Sequence, residues 1–412
     1  MITNIIKRQT MKEIDISIQK EKVGELFYNE KTKEYGFNYI KKASPVSLTM
    51  PYRKETYRSS FYLHPIFEMN LPEGYLFEIF KNFLSKEHGY MDDFLVLSYL
   101  APNIESRLEF KSDFEKKLFY SVDIDEIINN DSEDTFLKLL KTFLNKNAIS
   151  GVQPKTLAIV KDKETLVLKE YIVKTWGEEY PFLAQNEYYS MKTVQRAGVT
   201  IPNIQLSKNG KFLLVEKFNY QKEQEEYLGF EEILVLQGKN RDKKYSGSYE
   251  QVAKIIYAVT TNKRESMIAF YKTVVMNYLL KNGDAHLKNF GVLYDGNFKN
   301  IHFAPAYDIV TTTAYIYRDK PALMMFGKKV WWGQEELVSF GVKNCFFSKA
   351  ESQKLYNTCF NALEKGIEEL QQVIKKDKNF SPIGQKMVDS WTLSLNKKTY
   401  KEIPLETIRH WN

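Results

Sequence analysis

Between the apolar run "FYKTVVMNYLL" (270–280) and the apolar run "NFGVLY" (289–294), the chain crowds Asn282, Asp284, His286, Lys288 and Asn289 into eight positions. The first run has helical composition and the second reads as a strand, so the polar residues occupy a short loop held at both ends by core. An ordinary solvated turn needs no His and Lys beside Asp and Asn. A metal hydrolase would need further His or carboxylate ligands, yet none of the five histidines repeats the D-x-H pattern.

With 412 residues, 43% of them hydrophobic, the chain suits two or three packed units rather than one core or a disordered polymer. Cys345 and Cys359 cannot build a disulfide framework, and neither has C-x-x-C spacing, which points to a reducing, intracellular setting. No apolar run approaches the roughly 18 residues that span a bilayer, and the amino terminus gains charge before it could form a secretory core. The expected compartment is the cytoplasm, with no membrane partner. A net charge of +7 would suit an anionic partner, but on a chain this long the excess is modest and reads first as a lysine-rich solvated surface.

Three regions follow from the patterning. In 1–115, Ile14, Ile16 and Ile18, then Tyr35, Phe37 and Tyr39, then Val46, Leu48 and Met50 alternate with polar residues and predict strands. From 65 to 98 the spacing becomes helical, with "NLPEG" (70–74) as a turn. In 116–240, Phe136, Leu139, Leu140, Phe143 and Leu144 predict a helix behind a Ser132 or Asp131 cap. "KTLAIV", "TLVLKEYIVKTW" and "KFLLVEKF" then predict strands around a helix that ends at Gly198. In 241–412 helices dominate: Ile268, Tyr271, Val275, Tyr278 and Leu279 share one face, as do Leu355, Cys359, Leu363, Leu370 and Ile374. The expected class is α+β, with a β-rich lobe before an α-rich lobe and a small α+β subdomain ahead of both.

Phosphoryl transfer needs the residue set that the polar loop supplies. A protein doing it must position a hydroxyl, hold Mg²⁺ against phosphates and neutralise developing charge. Protein kinases use a catalytic Asp and, five residues later, a metal-binding Asn; Asp284 and Asn289 have that spacing. Asp308 in "PAYDIV" stands where a second metal-binding Asp is expected. Lys174 in "YIVKTW" precedes Glu187 in "QNEYY", as a phosphate-holding Lys and its orienting Glu should. The order Lys, Glu, Asp, Asn, Asp is more informative than any member. No G-x-G-x-x-G occurs, although "NAISGVQPK" (147–155) is a small-residue loop opening into a strand at the corresponding place.

Together "ISGVQPKTLAIV", "NEYYSM", "VEKFNY", "NGDAHLKNFGVLY" and "PAYDIVTTTAY" resemble the HipA family of bacterial serine/threonine kinases, the toxins of toxin-antitoxin pairs. "VGELFY", "PVSLTMP" and "IFEMNLPEG" resemble that family's amino-terminal subdomain. The resemblance implies a two-lobed protein-kinase-like fold that binds ATP and Mg²⁺ between its lobes and phosphorylates a protein such as an aminoacyl-tRNA synthetase. Asp284 would be the base, Asn289 and Asp308 would hold Mg²⁺, and Lys174, oriented by Glu187, would contact the α and β phosphates. The backbone of Glu216, Lys217 and Phe218 would read adenine, and the loop holding Ser150, Gly151, Val152, Gln153 and Lys155 would cover the phosphates. His286 is expected to brace the catalytic loop and Lys288 to offset phosphate charge.

The same resemblance implies inactivating autophosphorylation on Ser150 and a separately encoded helix-turn-helix antitoxin that alone reaches operator DNA. Three departures stand out: Ala148 replaces a serine often found in the phosphate loop, Asn219 replaces an Asp after the hinge, and "LAPNIESRLEF" replaces a Gly-Arg-Asp segment. A reading from another class is a catalytically weak nucleotide-binding module working in an antitoxin or repressor complex.

Overall fold

A computed structural model describes residues 11–89, 92–114, 124–146, 164–167 and 170–396. The expected phosphate loop, with Ser150, Gly151, Val152, Gln153 and Lys155, lies outside them, as does "KTLAIV".

The amino-terminal unit is an antiparallel sheet of β1 (Met11–Ile18), β2 (Glu21–Asn29), β3 (Glu34–Tyr39), β4 (Tyr57–Ser59) and β5 (Leu108–Lys111), ordered β4-β3-β2-β1-β5. Ile14, Ile16 and Ile18 are buried, as period-two patterning requires. Helices Gly74–His88 and Asp93–Leu100 belong to the same unit, and Ile79, Phe80, Phe94 and Leu97 share its core. The third alternation, Val46, Leu48 and Met50, is not a strand but a turn closed by a bridge between Ser47 and Met50. Its period has another cause: the Ser47 hydroxyl and the Leu48 amide both donate, at 2.8 Å, to the buried carboxylate of Glu231.

A second sheet follows, ordered β6-β7-β9-β8, from β6 (Glu164–Val167), β7 (Tyr171–Thr175), β8 (Ile204–Leu206) and β9 (Phe212–Glu216). Helix Leu183–Arg196 lies between β7 and β8 in the chain, and Gly198 follows it with φ +69°, a left-handed stop that glycine adopts without strain. Helix Glu133–Lys146 starts behind Ser132, whose hydroxyl accepts from the Thr135 amide. Asp131, the other expected cap, instead accepts from Ser207, Asn209 and Lys211 and so ties that helix to the turn before β9.

After the short hairpin β10 (Tyr220–Gln221) and β11 (Glu226–Tyr227), β12 (Gly229–Glu232) pairs with β13 (Gly291–Tyr294), which pairs with β14 (Ile301–Phe303). This small sheet sits on a helical lobe. Helix Lys263–Leu279 is buried almost all round in its second half, so the one-sided face expected for it is corrected: it is the lobe's central helix. Helix Lys349–Lys376 does bury Cys359, Leu363, Leu370 and Ile374 as expected. Both cysteines are free and buried. Among the described residues no helix is long and apolar enough to cross a membrane.

Candidate active site between the lobes

The catalytic loop is built by the end of the central helix. Asn282 turns back on that helix, its side chain donating to Asn277 Oδ1 at 2.7 Å, while its own Oδ1 accepts from the Asp284 amide. The His286 amide donates to the Asp284 carbonyl and also faces Asn289 Oδ1 at 3.1 Å. Thr312 closes the far side, accepting from the Gly283 amide at 2.7 Å and donating to the Lys281 carbonyl. The segment after Asp308 is thereby fastened to the loop that carries Asp284.

Four of the expected residues meet across the cleft. Lys174 Nζ, on β7, lies 2.5 Å from Glu187 Oε1 and 2.8 Å from Asp308 Oδ1. Asn289 Nδ2 donates to the other Asp308 oxygen at 2.9 Å. Both lobes therefore join through one ammonium and one carboxylate. Helix Leu183–Arg196 is locked in the same place, since the Asn186 side chain exchanges two hydrogen bonds with the backbone of Thr311. Asp308 itself has φ +57°, a left-handed conformation that asparagine and aspartate tolerate better than most residues.

Glu187 and Asp308 share the one ammonium of Lys174, so these three groups together keep one formal negative charge, and Asp284 adds another. Oxygen donors from one carboxylate and one amide, completed by phosphates and water, are what Mg²⁺ takes in phosphate-handling sites. Asp308 and Asn289 supply that donor set: they lie in contact, and Asp308 is partly exposed. To ligate a cation, Asn289 must present its amide oxygen where its nitrogen now meets Asp308.

The remaining candidates divide. His286 is buried, its pKa is lowered by desolvation, and its ring meets that of Tyr245 in a T-shaped contact at 5.1 Å. Lys288 is engaged within the protein. Its ammonium pairs with Glu73 of the amino-terminal unit and lies 3.7 Å from Glu232, so its charge is already matched within the protein. Burial works to lower its pKa, but Glu232 and Glu73 outweigh it and the net shift is upward.

In the expected hinge, the Glu216 and Lys217 amides are donated to the carbonyls of Asn203 and Glu170, each at 2.8 Å. Of the hinge backbone expected to read adenine, these two amides are engaged within the protein. The Phe218 ring packs between Phe230 and Tyr307, at 5.3 and 5.5 Å.

Sequence reasoning missed three residues. The Tyr245 hydroxyl donates to Asp284 Oδ1 at 2.8 Å. Glu73 binds both Lys288 and Lys244. The Tyr307 hydroxyl donates to the Lys288 carbonyl at 2.6 Å. A tyrosine next to Asp308 was visible in "PAYDIV", but its hydroxyl's target was not.

Fold and site together define a two-lobed chain of the protein-kinase-like class. Comparison with known proteins narrows this: residues 14–110 match the HipA N-terminal domain and residues 147–371 the HipA-like C-terminal domain, so the chain belongs to the HipA family. It is 34% identical over 186 residues to a Haemophilus influenzae protein named "Putative kinase", covering 41% of this chain and 53% of that protein. It is 24% identical over 270 residues to a Sinorhizobium fredii protein named "Putative kinase Y4dM", covering 59% and 63%. The chain thus spans between half and two thirds of the length of these curated relatives. Among solved structures, it shares its fold with a chain of the Shewanella oneidensis MR-1 complex of HipA, HipB and operator DNA, with a TM-score of 0.67, 14% identity and coverage of 93% and 97%.

Proposed function

We propose that this chain is a Mg²⁺- and ATP-dependent protein serine/threonine kinase acting as the toxin of a toxin-antitoxin pair. The observation that carries the reading is the contact of Lys174 with both Glu187 and Asp308, with Asn289 on the same carboxylate. Residues 134 apart in sequence converge here, and phosphate-holding chemistry needs that convergence whereas a solvated surface does not.

In this reading Lys174 binds the α and β phosphates, Asp308 and Asn289 hold Mg²⁺, and the metal supplies charge neutralisation at the transferred phosphoryl group. Asp284 accepts the proton of the acceptor hydroxyl. The loop from Ser150 to Lys155 covers the phosphates, and phosphorylation of Ser150 would place about −1.5 to −2 charges where the nucleotide sits, switching the enzyme off. A relative of the same fold was solved with HipB and operator DNA; by analogy a helix-turn-helix antitoxin would bind this chain and carry it to DNA in the cytoplasm. An aminoacyl-tRNA synthetase is the substrate class that the family suggests.

Incubating the purified chain with Mg²⁺ and radiolabelled ATP, beside Asp284→Ala and Asp308→Asn, tests the proposal. Label on the parent or on a protein in cell extract, absent with both variants, supports it. ATP binding without transfer would favour a nucleotide-binding module, and no binding would end the kinase reading.

A further inference from the structure

A general base that accepts a proton from an acceptor hydroxyl must receive that hydroxyl within hydrogen-bond distance of a carboxylate oxygen. On Asp284 such a hydroxyl is already present, the phenol of Tyr245, donating to Oδ1 at 2.8 Å. Burial, and then the Asp284 charge, push the Tyr245 pKa well up, so the proton stays on the phenol and the bond keeps this polarity.

The backbone here is fastened, and the side chain is partly open to solvent. The Leu287 amide donates to the Lys244 carbonyl at 3.0 Å, and Lys329 reaches the Tyr245 carbonyl at 3.3 Å, so the segment is fastened to the catalytic loop. Yet Tyr245 is 46% exposed, its ring meeting His286 edge-to-face at 5.1 Å and the Lys244 ammonium at 5.5 Å. A rotation of the side chain alone would withdraw the hydroxyl. The Asp284 backbone does not depend on it, because Asn282 accepts from the Asp284 amide and the His286 amide donates to the Asp284 carbonyl.

We propose that Tyr245 marks the acceptor site: its phenol occupies on Asp284 the place that a serine or threonine hydroxyl takes, and the acceptor enters by displacing it. This rests on the kinase reading above. Once displaced, the phenol leaves the carboxylate free. The acceptor's proton passes to Asp284 and its oxygen bonds to the γ-phosphorus. The bond from that phosphorus to the β,γ-bridging oxygen breaks, and ADP departs with the electron pair. Tyr245 thereby sets what the site admits, favouring acceptors that gain more on Asp284 than the phenol loses and excluding water, which gains little.

The test uses the full chain and water as the probe acceptor. ADP formation from Mg²⁺-ATP and affinity for a fluorescent ATP analogue are measured for the parent, Tyr245→Phe, Asp284→Asn and the double variant. Tyr245→Phe should hydrolyse ATP about tenfold faster, the factor carried by one hydrogen bond to a charged group, with nucleotide affinity unchanged; adding Asp284→Asn should abolish the gain. Slower or unchanged ADP formation with nucleotide still bound would overturn this inference and leave the kinase reading intact, making Tyr245 a brace. Phosphate found on Tyr245 of the parent would overturn it too, by making the phenol an acceptor itself. Loss of nucleotide binding in every protein, the parent included, would end both.

Discussion

Replacing Lys174 by methionine separates what the ion pair does for folding from what it does for chemistry. The Glu187 side chain is 3% exposed and that of Lys174 is 11% exposed, so the substitution leaves a carboxylate buried without its cation. Breaking a buried pair from one side costs about 3–5 kcal/mol, because the stranded charge keeps its desolvation penalty. Asp308, 22% exposed, loses the same partner but is reached by solvent and keeps Asn289, so little is added there. With a urea slope of roughly 2–3 kcal/mol/M, the transition of the unit holding β7 should move down by about 1–2 M. Lys174→Met with Glu187→Leu should recover most of that loss, since two well-packed apolar side chains can replace a buried pair at nearly equal stability. Neither variant should bind ATP. Urea unfolding followed by circular dichroism decides: a single variant within about 1 kcal/mol of the parent, or a double variant no more stable than the single, would refute the claim that this pair is buried and mutually dependent.

Glu231→Ala should release the amino-terminal unit, because a fully buried carboxylate there accepts 2.8 Å hydrogen bonds from Ser47, Leu48 and Tyr294; a loss of about 3 kcal/mol and earlier protease cleavage between 40 and 65 would show it. Asp308→Asn should keep the fold while abolishing Mg²⁺-dependent binding of ATP, whereas Asp308→Ala should cost about 1 kcal/mol more, because alanine tolerates φ +57° less well. Burial pushes the Glu68 and Glu232 carboxyls up to about 7 from 4.5. Their folded pKa values are raised, so their contribution is fully present below about 4.5 and lost as pH rises through 7. Stability should therefore fall by about 2–3 kcal/mol for each carboxyl between pH of about 5 and about 8. Glu73, pulled down to about 2 by Lys288 and Lys244 against burial, titrates below that window. Thermal melts across it should flatten with Glu232→Gln.

Lys174, Glu187, Asp284, Asn289 and Asp308 were legible because their spacing follows from local structure: a strand, the next helix, a loop and a hairpin. The structure brings Lys174, Glu187, Asn289 and Asp308 into contact. The ion pair of Lys288 was not legible, for the opposite reason. Its partner Glu73 lies in a turn where a charged residue reads as solvated, and nothing local to either position points at the other. Tyr245 escaped notice because an isolated tyrosine after a basic run has no pattern of its own. Val46, Leu48 and Met50 show that alternation alone does not distinguish a strand from a turn whose polar atoms serve a buried acid.

The pairing of Lys288 with Glu73 joins the catalytic loop to a glutamate 215 positions earlier in the chain. One charge thus takes part in two equilibria, the placing of the loop and the seating of the amino-terminal unit. Linkage makes such sharing symmetric: a ligand that draws Lys288 from Glu73 loosens the unit by a given factor, and anything that pulls the unit away raises that ligand's affinity by the same factor.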